Sequence, residues 1–274
     1  MATYLRKCWL LIGLGLGVVA LGCGRGSKSG EAPTASIPPQ ASAAANPADA
    51  SFADSVYTET DNADQLPPPD RTLNGLSTGK LRADVQRLWD EIKFVSSTGN
   101  KITFAARFET DDGPMTLALL PDIAPIHVRN FVALARAGYY DGLLFEHVIQ
   151  QEGDGMPDAK LEMIEGGCPA GTGEAGIGHL GYWLPAEFSE TIKHEEGTVG
   201  ACRGDDPDTA GCRFYITLSK APVMDGNFTI FGRVTDGLDV MRRIAKRPRP
   251  EGGIRPNEPA VIRKVTIHSR EVDK

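Results

Sequence analysis

The sequence feature that most constrains the fold is a succession of short β-rich runs separated by turn residues. Between the first two runs, Asp111-Asp112-Gly113 is a turn signal that predicts a hairpin. Many antiparallel strands with few helices favour a mainly β barrel, because a closed barrel leaves no exposed sheet edge. The runs are 101–109, 115–120, 143–149, 161–165, 197–202, 213–218, 229–234 and 261–267.

Three stretches show helical periodicity instead. From 78 to 94, apolar residues recur every three or four positions and form one stripe on an otherwise charged helix, which should pack on the outside of the domain. A second helix has Pro125 in its first turn, and Gly138 is suited to end it. A third extends from 238 to 245. The stripe consists of Leu81, Val85, Leu88, Trp89 and Ile92.

The N-terminus has the pattern of an export signal. Arg6 and Lys7 precede an apolar run, 8–22, that is too short to span a bilayer comfortably. The run ends in Ala20-Leu21-Gly22-Cys23, which resembles the bacterial lipobox, where the cysteine is diacylated and becomes the mature N-terminus. The alternatives are an uncleaved anchor helix and an ordinary signal with an incidental cysteine. The lipobox resemblance implies a membrane-anchored lipoprotein of the cell envelope that faces the periplasm or the exterior.

Residues 24–75 hold few large apolar side chains, so burial there cannot offset the entropy of ordering the chain. We therefore expect a disordered linker. The predicted organisation is a signal peptide at 1–23, this linker, a helical extension at 76–100 and a β-rich domain at 101–274.

Charge and motif content exclude several classes of function. A net charge of −7 argues against a nucleic-acid binder, which needs a local excess of Lys and Arg. The chain has no C-x-x-C motif, and its five histidines lack ligand spacing, so we expect no metal. Residues 171–176 match G-x-G-x-x-G but neither follow a strand nor open a helix, so we expect no dinucleotide cofactor.

Several phrases occur in the order and spacing typical of one family. The chain resembles the cyclophilins over about 102–267, and the resemblance implies an eight-stranded antiparallel barrel capped by two helices, here with an extra N-terminal helix. It also implies a monomer with an outer groove for a proline-containing polypeptide. The phrases are Asn130-Phe131, Phe145-Glu146-His147-Val148-Ile149, Gly166-Gly167, Gly171-Thr172-Gly173, Pro185-Ala186-Glu187-Phe188, Gly211-Cys212-Arg213-Phe214-Tyr215-Ile216 and Asp225-Gly226-Asn227-Phe228-Thr229-Ile230-Phe231-Gly232-Arg233-Val234.

The resemblance implies an apolar seat for the proline ring. It places a Tyr and a Phe where the family more often has Phe and His, and a Val where it has a Trp at the pocket rim. A purely structural role in the core is the alternative for these side chains. The implied pocket residues are Met163, Tyr215, Val223, Met224 and Phe228, and the implied backbone-binding rim is Gly171, Cys202 and Arg203.

The implied catalytic residues depart from the family pattern. His147 stands at the position of the catalytic Arg, and Glu165 and Arg213 stand at two Gln positions. An imidazole is only partly cationic at neutral pH and offers no two-pronged donor. Loss of one well-placed donor costs about 10²–10³ in rate, so we expect weak catalysis, or none, toward generic peptides. Either Arg213 supplies the cation with Glu165 orienting it, or the two form a salt bridge that silences the site.

Two local features remain open. Residues 150–162 form an insertion beside the groove, which is either a lid or a tolerated surface loop. Cys202 and Cys212 flank a loop between two strands that are expected to pair, and the export context permits disulfides. We therefore expect a Cys202–Cys212 bridge, with Cys168 left free.

The functional expectation is a peptidyl-prolyl cis/trans isomerase that acts on X-Pro bonds of exported proteins with reduced or rearranged catalysis. The alternative is a non-catalytic module that binds proline-containing peptides. The family resemblance favours the enzyme, whereas His147, Glu165 and Val223 favour the binding module.

Overall fold

An antiparallel sheet that curves into a nearly closed barrel dominates the computed structural model, which describes residues 49–60, 62–153 and 160–273. The strands are β1 (Lys101–Thr110), β2 (Gly113–Leu119), β3 (Leu144–Phe145), β4 (His147–Gln151), β5 (Leu161–Gly166), β6 (Thr198–Ala201), β7 (Phe214–Thr217), β8 (Ile230–Asp236) and β9 (Ala260–Val272). Their order in the sheet is β3-β9-β1-β2-β8-β6-β7-β5-β4.

The two ends of this sheet belong to one stretch of chain. Only Glu146 separates β3 from β4, yet β3 pairs with β9 and β4 pairs with β5. The chain therefore passes from one edge of the sheet to the other at Glu146 and nearly closes the barrel. Counting β3 and β4 as one bent strand gives the predicted eight strands, so the predicted fold class is confirmed. The run predicted over 143–149 is divided at Glu146.

Alternating burial along the strands explains the barrel core. In β1, Phe104, Ala106 and Phe108 are buried, while the residues between them are more accessible. This period of two is the pattern of a strand with one face on a core. Phe108 lies 5.7 Å from Phe214 between ring centroids, and Phe214 lies 5.8 Å from Phe145. These rings join strands that are distant in sequence.

Helices lie against the barrel. They are α1 (Phe52–Ser55), α2 (Thr78–Trp89), α3 (Pro125–Arg136) and α4 (Leu238–Ala245). The second and third predicted helices match α3 and α4. The first predicted helix, 78–94, corresponds to α2 and is shorter than predicted. The chain turns after Trp89, and the Phe94 carbonyl then accepts a backbone hydrogen bond from Ile102 of β1. Ile92 and Phe94 are still buried, which explains why their spacing resembled a helix.

The predicted signal peptide, Cys23 and linker residues up to 48 lie outside the described residues. In the part of the chain that the structure describes, none of the helices combines the length and apolar character that crossing a bilayer requires.

The later part of the predicted linker packs against the barrel domain rather than being disordered. Phe52 is buried, with its ring centroid 5.3 Å from that of Trp89 and 5.1 Å from that of Tyr182. Tyr57 and Trp183 exchange two backbone hydrogen bonds of 2.8 Å. The prediction of a linker through residue 75 is wrong from about residue 50 onward, because a few apolar anchors and backbone pairs suffice to dock an apolar-poor segment.

A buried arginine ties this segment to the barrel. The Arg129 guanidinium of α3 lies 5.5 Å from the Trp89 ring centroid and 5.2 Å from that of Phe94. Its Nη1 donates to Ala50 O at 2.9 Å, and Trp89 Nε1 donates to the same carbonyl at 3.1 Å. Cation–π contacts of a desolvated guanidinium are among the stronger ones, so Arg129 links α2, α3 and the N-terminal segment.

We expect Phe52→Ala to lower the free energy of unfolding by about 3 kcal/mol, because it removes a buried ring from between two aromatic partners. Urea unfolding followed by tryptophan fluorescence measures this loss. Phe188→Ala is the matched control, since Phe188 is 43% exposed and should change stability by less than about 0.5 kcal/mol. Equal stability of the two variants would mean that the segment does not dock.

Candidate functional site

Strands β4, β5 and β7 place the predicted site residues side by side on one face. His147 is directly opposite Glu165 in the β4–β5 pair, and Glu165 is directly opposite Tyr215 in the β5–β7 pair. Opposed residues in an antiparallel pair point to the same face, and residues two apart share that face too. The intervening residues, such as Ile164 and Phe214, belong to the barrel core. The site therefore lies on the outer surface of the barrel.

An apolar cluster occupies part of this surface and is separate from the barrel core. It brings together Met163 of β5, Tyr215 of β7 and Met224 of a 3₁₀ turn, Pro222–Met224. Its partly buried edge includes Cys202, Val223 and Phe228. The structure thus assembles the predicted pocket residues on the site face, while their role in substrate binding stays a prediction.

The predicted rim residue Arg203 closes one side of this cluster. Its guanidinium carbon lies 4.4 Å from the Phe228 ring centroid, and its Nη2 donates to Asn227 O at 2.9 Å. The Phe228 ring in turn packs edge-on against Tyr215, with centroids 6.1 Å apart. These contacts hold the loop that bears Phe228 against the cluster.

Beside the apolar cluster lies a network of charged side chains. Arg213 Nη2 donates to Glu165 Oε2 at 2.8 Å, and His147 Nδ1 lies 3.1 Å from the same oxygen. Of the three predicted catalytic residues, Arg213 and His147 therefore both contact Glu165. The side chain of Arg213 is only 9% exposed, and those of His147 and Glu165 are 8% and 14% exposed. The carboxylate of Glu165 is the centre of the group.

A fourth member, Glu146, was missed by the sequence analysis. It lies at the bend between β3 and β4, is completely buried, and its Oε1 accepts a 3.0 Å hydrogen bond from Arg213 Nε. Among the described residues its Oε2 has no hydrogen-bond partner. The signal that could have revealed it is an acidic residue inside the β-rich run 143–149, since a buried charge there requires a cationic partner.

The electrostatics of the two glutamates differ. Burial raises the pKa of Glu165, but the Arg213 ion pair and the His147 hydrogen bond outweigh it, so the pKa of Glu165 is lowered. Burial also raises the pKa of Glu146, and there Arg213 offsets burial only in part, so the pKa of Glu146 stays raised. Glu165 is therefore the firmly ionised partner of Arg213, and Glu146 is the carboxyl group closer to accepting a proton.

A glycine loop covers the histidine. Gly173 has a positive φ of 71°, and a Cβ there would overlap the His147 ring, so only glycine fits between loop and imidazole. The predicted rim residue Gly171 is in the same loop; its carbonyl accepts from Arg255 Nη1 at 2.7 Å. Leu73 N donates to Pro169 O at 2.7 Å, so the docked N-terminal segment also holds this loop.

The predicted disulfide is wrong. Cys168, Cys202 and Cys212 are free thiols in the described chain. Cys202 N donates to Arg213 O, so Cys202 lies opposite Arg213 in the extended β6–β7 ladder, one residue out of register with Cys212. Neighbouring residues of a strand point to opposite faces, and Cys212 Sγ instead accepts a 3.0 Å hydrogen bond from the Tyr139 hydroxyl.

Among the described residues, no group of three or more His, Cys, Asp or Glu could hold a metal ion.

Comparison with known proteins identifies the family. Residues 105–267 match the model of the cyclophilin type peptidyl-prolyl cis-trans isomerase/CLD family. The chain is 34% identical over 165 residues to peptidyl-prolyl cis-trans isomerase-like 3 of Gallus gallus, covering 60% of this chain and 96% of that one. It is 35% identical over 136 residues to peptidyl-prolyl cis-trans isomerase CYP18-2 of Arabidopsis thaliana, covering 50% and 77%.

A solved structure agrees with this match. The crystal structure of a cyclophilin type peptidyl-prolyl cis-trans isomerase of Cryptosporidium parvum superposes with a TM-score of 0.53 at 26% identity, covering 61% of this chain and 99% of that one. The same protein in the presence of the dipeptide Ala-Pro gives a TM-score of 0.52 at 27% identity and the same coverage. The chain belongs to the cyclophilin-type peptidyl-prolyl isomerase family.

We expect Arg213→Ala to lower the free energy of unfolding by about 3–5 kcal/mol at pH 8, because it leaves two buried carboxylates without their cation. The loss should be smaller at pH 5.5. Without Arg213, burial raises the folded-state pKa values of both glutamates, since the cation that lowered the pKa of Glu165 and partly offset burial at Glu146 is gone. The folded variant then takes up protons as pH falls and recovers stability. The stabilising effect of Glu165 in the wild type is still present at pH 5.5, since the lowered pKa moves its loss to more acid pH.

Urea unfolding at the two pH values measures both effects. Arg263→Ala is the control, because Arg263 is mostly exposed and pairs with Asp111 on the surface, where an ion pair contributes less than about 1 kcal/mol. A loss of similar size at pH 8 and pH 5.5 would contradict the argument.

Proposed function

We propose that this chain is a peptidyl-prolyl cis/trans isomerase that acts on X-Pro bonds of exported proteins, with catalysis slower than is usual in its family. The observation that carries the proposal is the apolar cluster of Met163, Tyr215 and Met224 on the outer face of the barrel, directly beside the Arg213 network. An apolar seat next to an oriented cation is the combination that proline isomerisation requires.

The chemistry explains this requirement. Rotation about the peptide bond has a barrier of about 18–20 kcal/mol because amide resonance must be broken. No covalent bond is cleaved. A donor that hydrogen-bonds the proline nitrogen as it loses conjugation interacts more strongly with the transition state than with the ground state, so it raises the rate. The apolar cluster would hold the proline ring so that this donor reaches the nitrogen.

Arg213 is the best candidate for that donor. Its ion pairs with Glu165 and Glu146 keep it cationic and orient its guanidinium plane. A guanidinium carries five N–H bonds, and the two glutamates engage Nε and Nη2. This is an arrangement in which Glu165 and Glu146 position the cation and His147 supports Glu165.

A binding module without catalysis is the second candidate. The observation that favours it is the burial of Arg213: with only 9% of its side chain exposed and two carboxylates bound, much of its charge is neutralised inside the protein. Such a site would still accept a proline ring in the apolar cluster. The structure of the Cryptosporidium parvum relative in the presence of the dipeptide Ala-Pro supports an X-Pro ligand under both proposals.

A test of catalysis uses the full chain in detergent and NMR exchange on X-Pro peptides. We expect the wild type to accelerate isomerisation and Arg213→Lys to lower kcat/KM about 10²-fold, because lysine keeps the charge but loses the planar fork. Arg242→Lys is the matched control: Arg242 is half exposed and pairs with Glu196 on the surface, so its variant should keep the wild-type rate.

The other outcomes separate the alternatives. Peptide binding without acceleration would make this a binding module. An unchanged rate in Arg213→Lys together with complete loss in His147→Ala would assign the cation to the histidine instead.

The proposed location is the cell envelope, with the chain anchored through a lipid on Cys23. The support is the charged start, the short apolar run and the lipobox-like end of the N-terminal sequence. A protein there would meet exported polypeptides before they are fully folded, when X-Pro bonds still isomerise slowly.

We expect Cys23→Ser to move the protein from the membrane fraction to the soluble fraction or to leave its signal uncleaved. Cell fractionation and the mass of the mature N-terminus distinguish these results. Cys8→Ser, a cysteine of the apolar run, is the control and should leave the lipidated mass unchanged. A Cys23→Ser protein that stays in the membrane with normal processing would favour another anchor.

A further inference from the structure

Behind the apolar cluster lies a chain of three hydrogen-bonded side chains that the proposed catalysis does not use. Tyr215 Oη lies 2.8 Å from His194 Nε2, and His194 Nδ1 lies 2.8 Å from Asp225 Oδ1. The His194 side chain is completely buried, and its ring stacks on that of Tyr215 with an interplanar angle of 25°. An imidazole is thus held between a phenol and a carboxylate.

The partners determine where the protons lie. Asp225 is an acceptor, so His194 Nδ1 carries a hydrogen and donates it; the neutral ring then accepts at Nε2 from the Tyr215 hydroxyl. Burial lowers the pKa of His194, and the Asp225 bond opposes this only in part, which agrees with a neutral ring. The charged groups that act on His194 are Asp225 and Lys193, whose Nζ lies 3.8 Å from Asp225 Oδ2.

His194 also holds the backbone around the pocket. Its N–H donates to Asp225 Oδ1 at 2.9 Å, and its carbonyl accepts from Ala221 N at 3.0 Å. Ala221 and Asp225 flank the 3₁₀ turn that carries Val223 and Met224. His194 therefore contacts both ends of the turn that forms one pocket wall, and through Tyr215 it contacts the opposite wall.

A glycine on the neighbouring strand leaves space for the Tyr215 hydroxyl. Gly200 of β6 is directly opposite Tyr215 of β7, and a Cβ at Gly200 would overlap the phenol oxygen. Glycine inside a strand often marks such a close approach. The hydroxyl passes over Gly200 to reach His194, so a side chain at position 200 would displace the phenol from this bond.

We propose that His194 is a positioning residue of the proline pocket, which sets the distance between the Tyr215 wall and the Met224 wall through its bonds to Tyr215, Ala221 and Asp225. The inference rests on the proposed proline-peptide binding. It assigns to this chain a pocket whose affinity for the proline ring depends on a tyrosine hydroxyl, at a position where the family more often has phenylalanine.

The test compares two variants that each remove one buried tyrosine hydroxyl. Tyr215→Phe removes the bond to His194. Tyr182→Phe removes a 2.6 Å bond to Asn130 in the barrel core, away from the pocket. Binding of an Ala-Pro-containing peptide to the full chain in detergent is measured by calorimetry, and the His194 ring is followed by NMR titration.

We expect Tyr215→Phe to raise the Kd about three- to tenfold, the effect of one buried hydrogen bond. The rate at saturating peptide should change less than KM, because the wall seats the ring and does not touch the proline nitrogen. The pKa of His194 should rise, since the neutral ring loses its donor. Tyr182→Phe should keep the wild-type Kd and the wild-type His194 titration even where it lowers stability.

Three results would overturn the inference. An unchanged Kd in Tyr215→Phe would mean that the hydroxyl does not set the pocket. An equal rise in Tyr182→Phe would mean that general loosening, and not positioning, weakens binding. Failure of the wild type to bind any proline peptide would refute the proposed function and the inference with it, whereas wild-type binding with an unaffected Tyr215→Phe refutes the inference alone.

Discussion

The ion pair between Arg213 and Glu146 is the interaction on which barrel closure and the site both depend. The bend between β3 and β4 closes the barrel and leaves the Glu146 carboxyl group without access to water. A charge in that position is tolerated only with a partner and satisfied hydrogen bonds. Arg213, the residue immediately before β7, supplies the partner charge and one hydrogen bond to Glu146 Oε1, two positions from Tyr215. The fold and the site thus share one cation.

This sharing has a chemical consequence. Buried ion pairs rarely add much stability, but they fix geometry. Here two carboxylates orient one guanidinium beside an apolar cluster, at the cost of engaging two of its donor groups and restricting its exposure. Strong orientation favours catalysis because no reorganisation is needed, while the engaged donors and the low exposure reduce what the cation can offer a substrate. If the orientation of the guanidinium dominates, the result is an isomerase of reduced rate. If its low exposure and engaged donors dominate, the result is a binding module.

Elements outside the barrel hold the surroundings of the site in place. The N-terminal segment contributes a backbone bond from Leu73 to the loop over His147, and Arg255 holds the same loop from the C-terminal side. On the other side, His194 joins the two walls of the apolar cluster. These supports are hydrogen bonds from both backbone and side-chain groups, which hold loops in place without adding apolar area. For the N-terminal segment, such bonds and the burial of Phe52 together explain how an apolar-poor stretch becomes part of the folded domain.

What the sequence determined by itself is local or carried by family resemblance: the alternating strands, the helices α3 and α4, and the residues that β4, β5 and β7 bring to one face. The strands and helices follow from side-chain periodicity, which can be recognised within a single run of residues. The residues that share the site face follow from the family resemblance. The tertiary structure alone decided the rest. It decided the pairing of Glu146 with Arg213, the docking of Phe52 and the bond from Tyr215 to His194. It also decided the one-residue offset that separates Cys202 from Cys212 and the end of α2 at Trp89. All of these depend on register and burial between different segments of the chain. Periodicity carries no information about which distant group a buried polar atom will meet, so these contacts emerge only when the barrel closes.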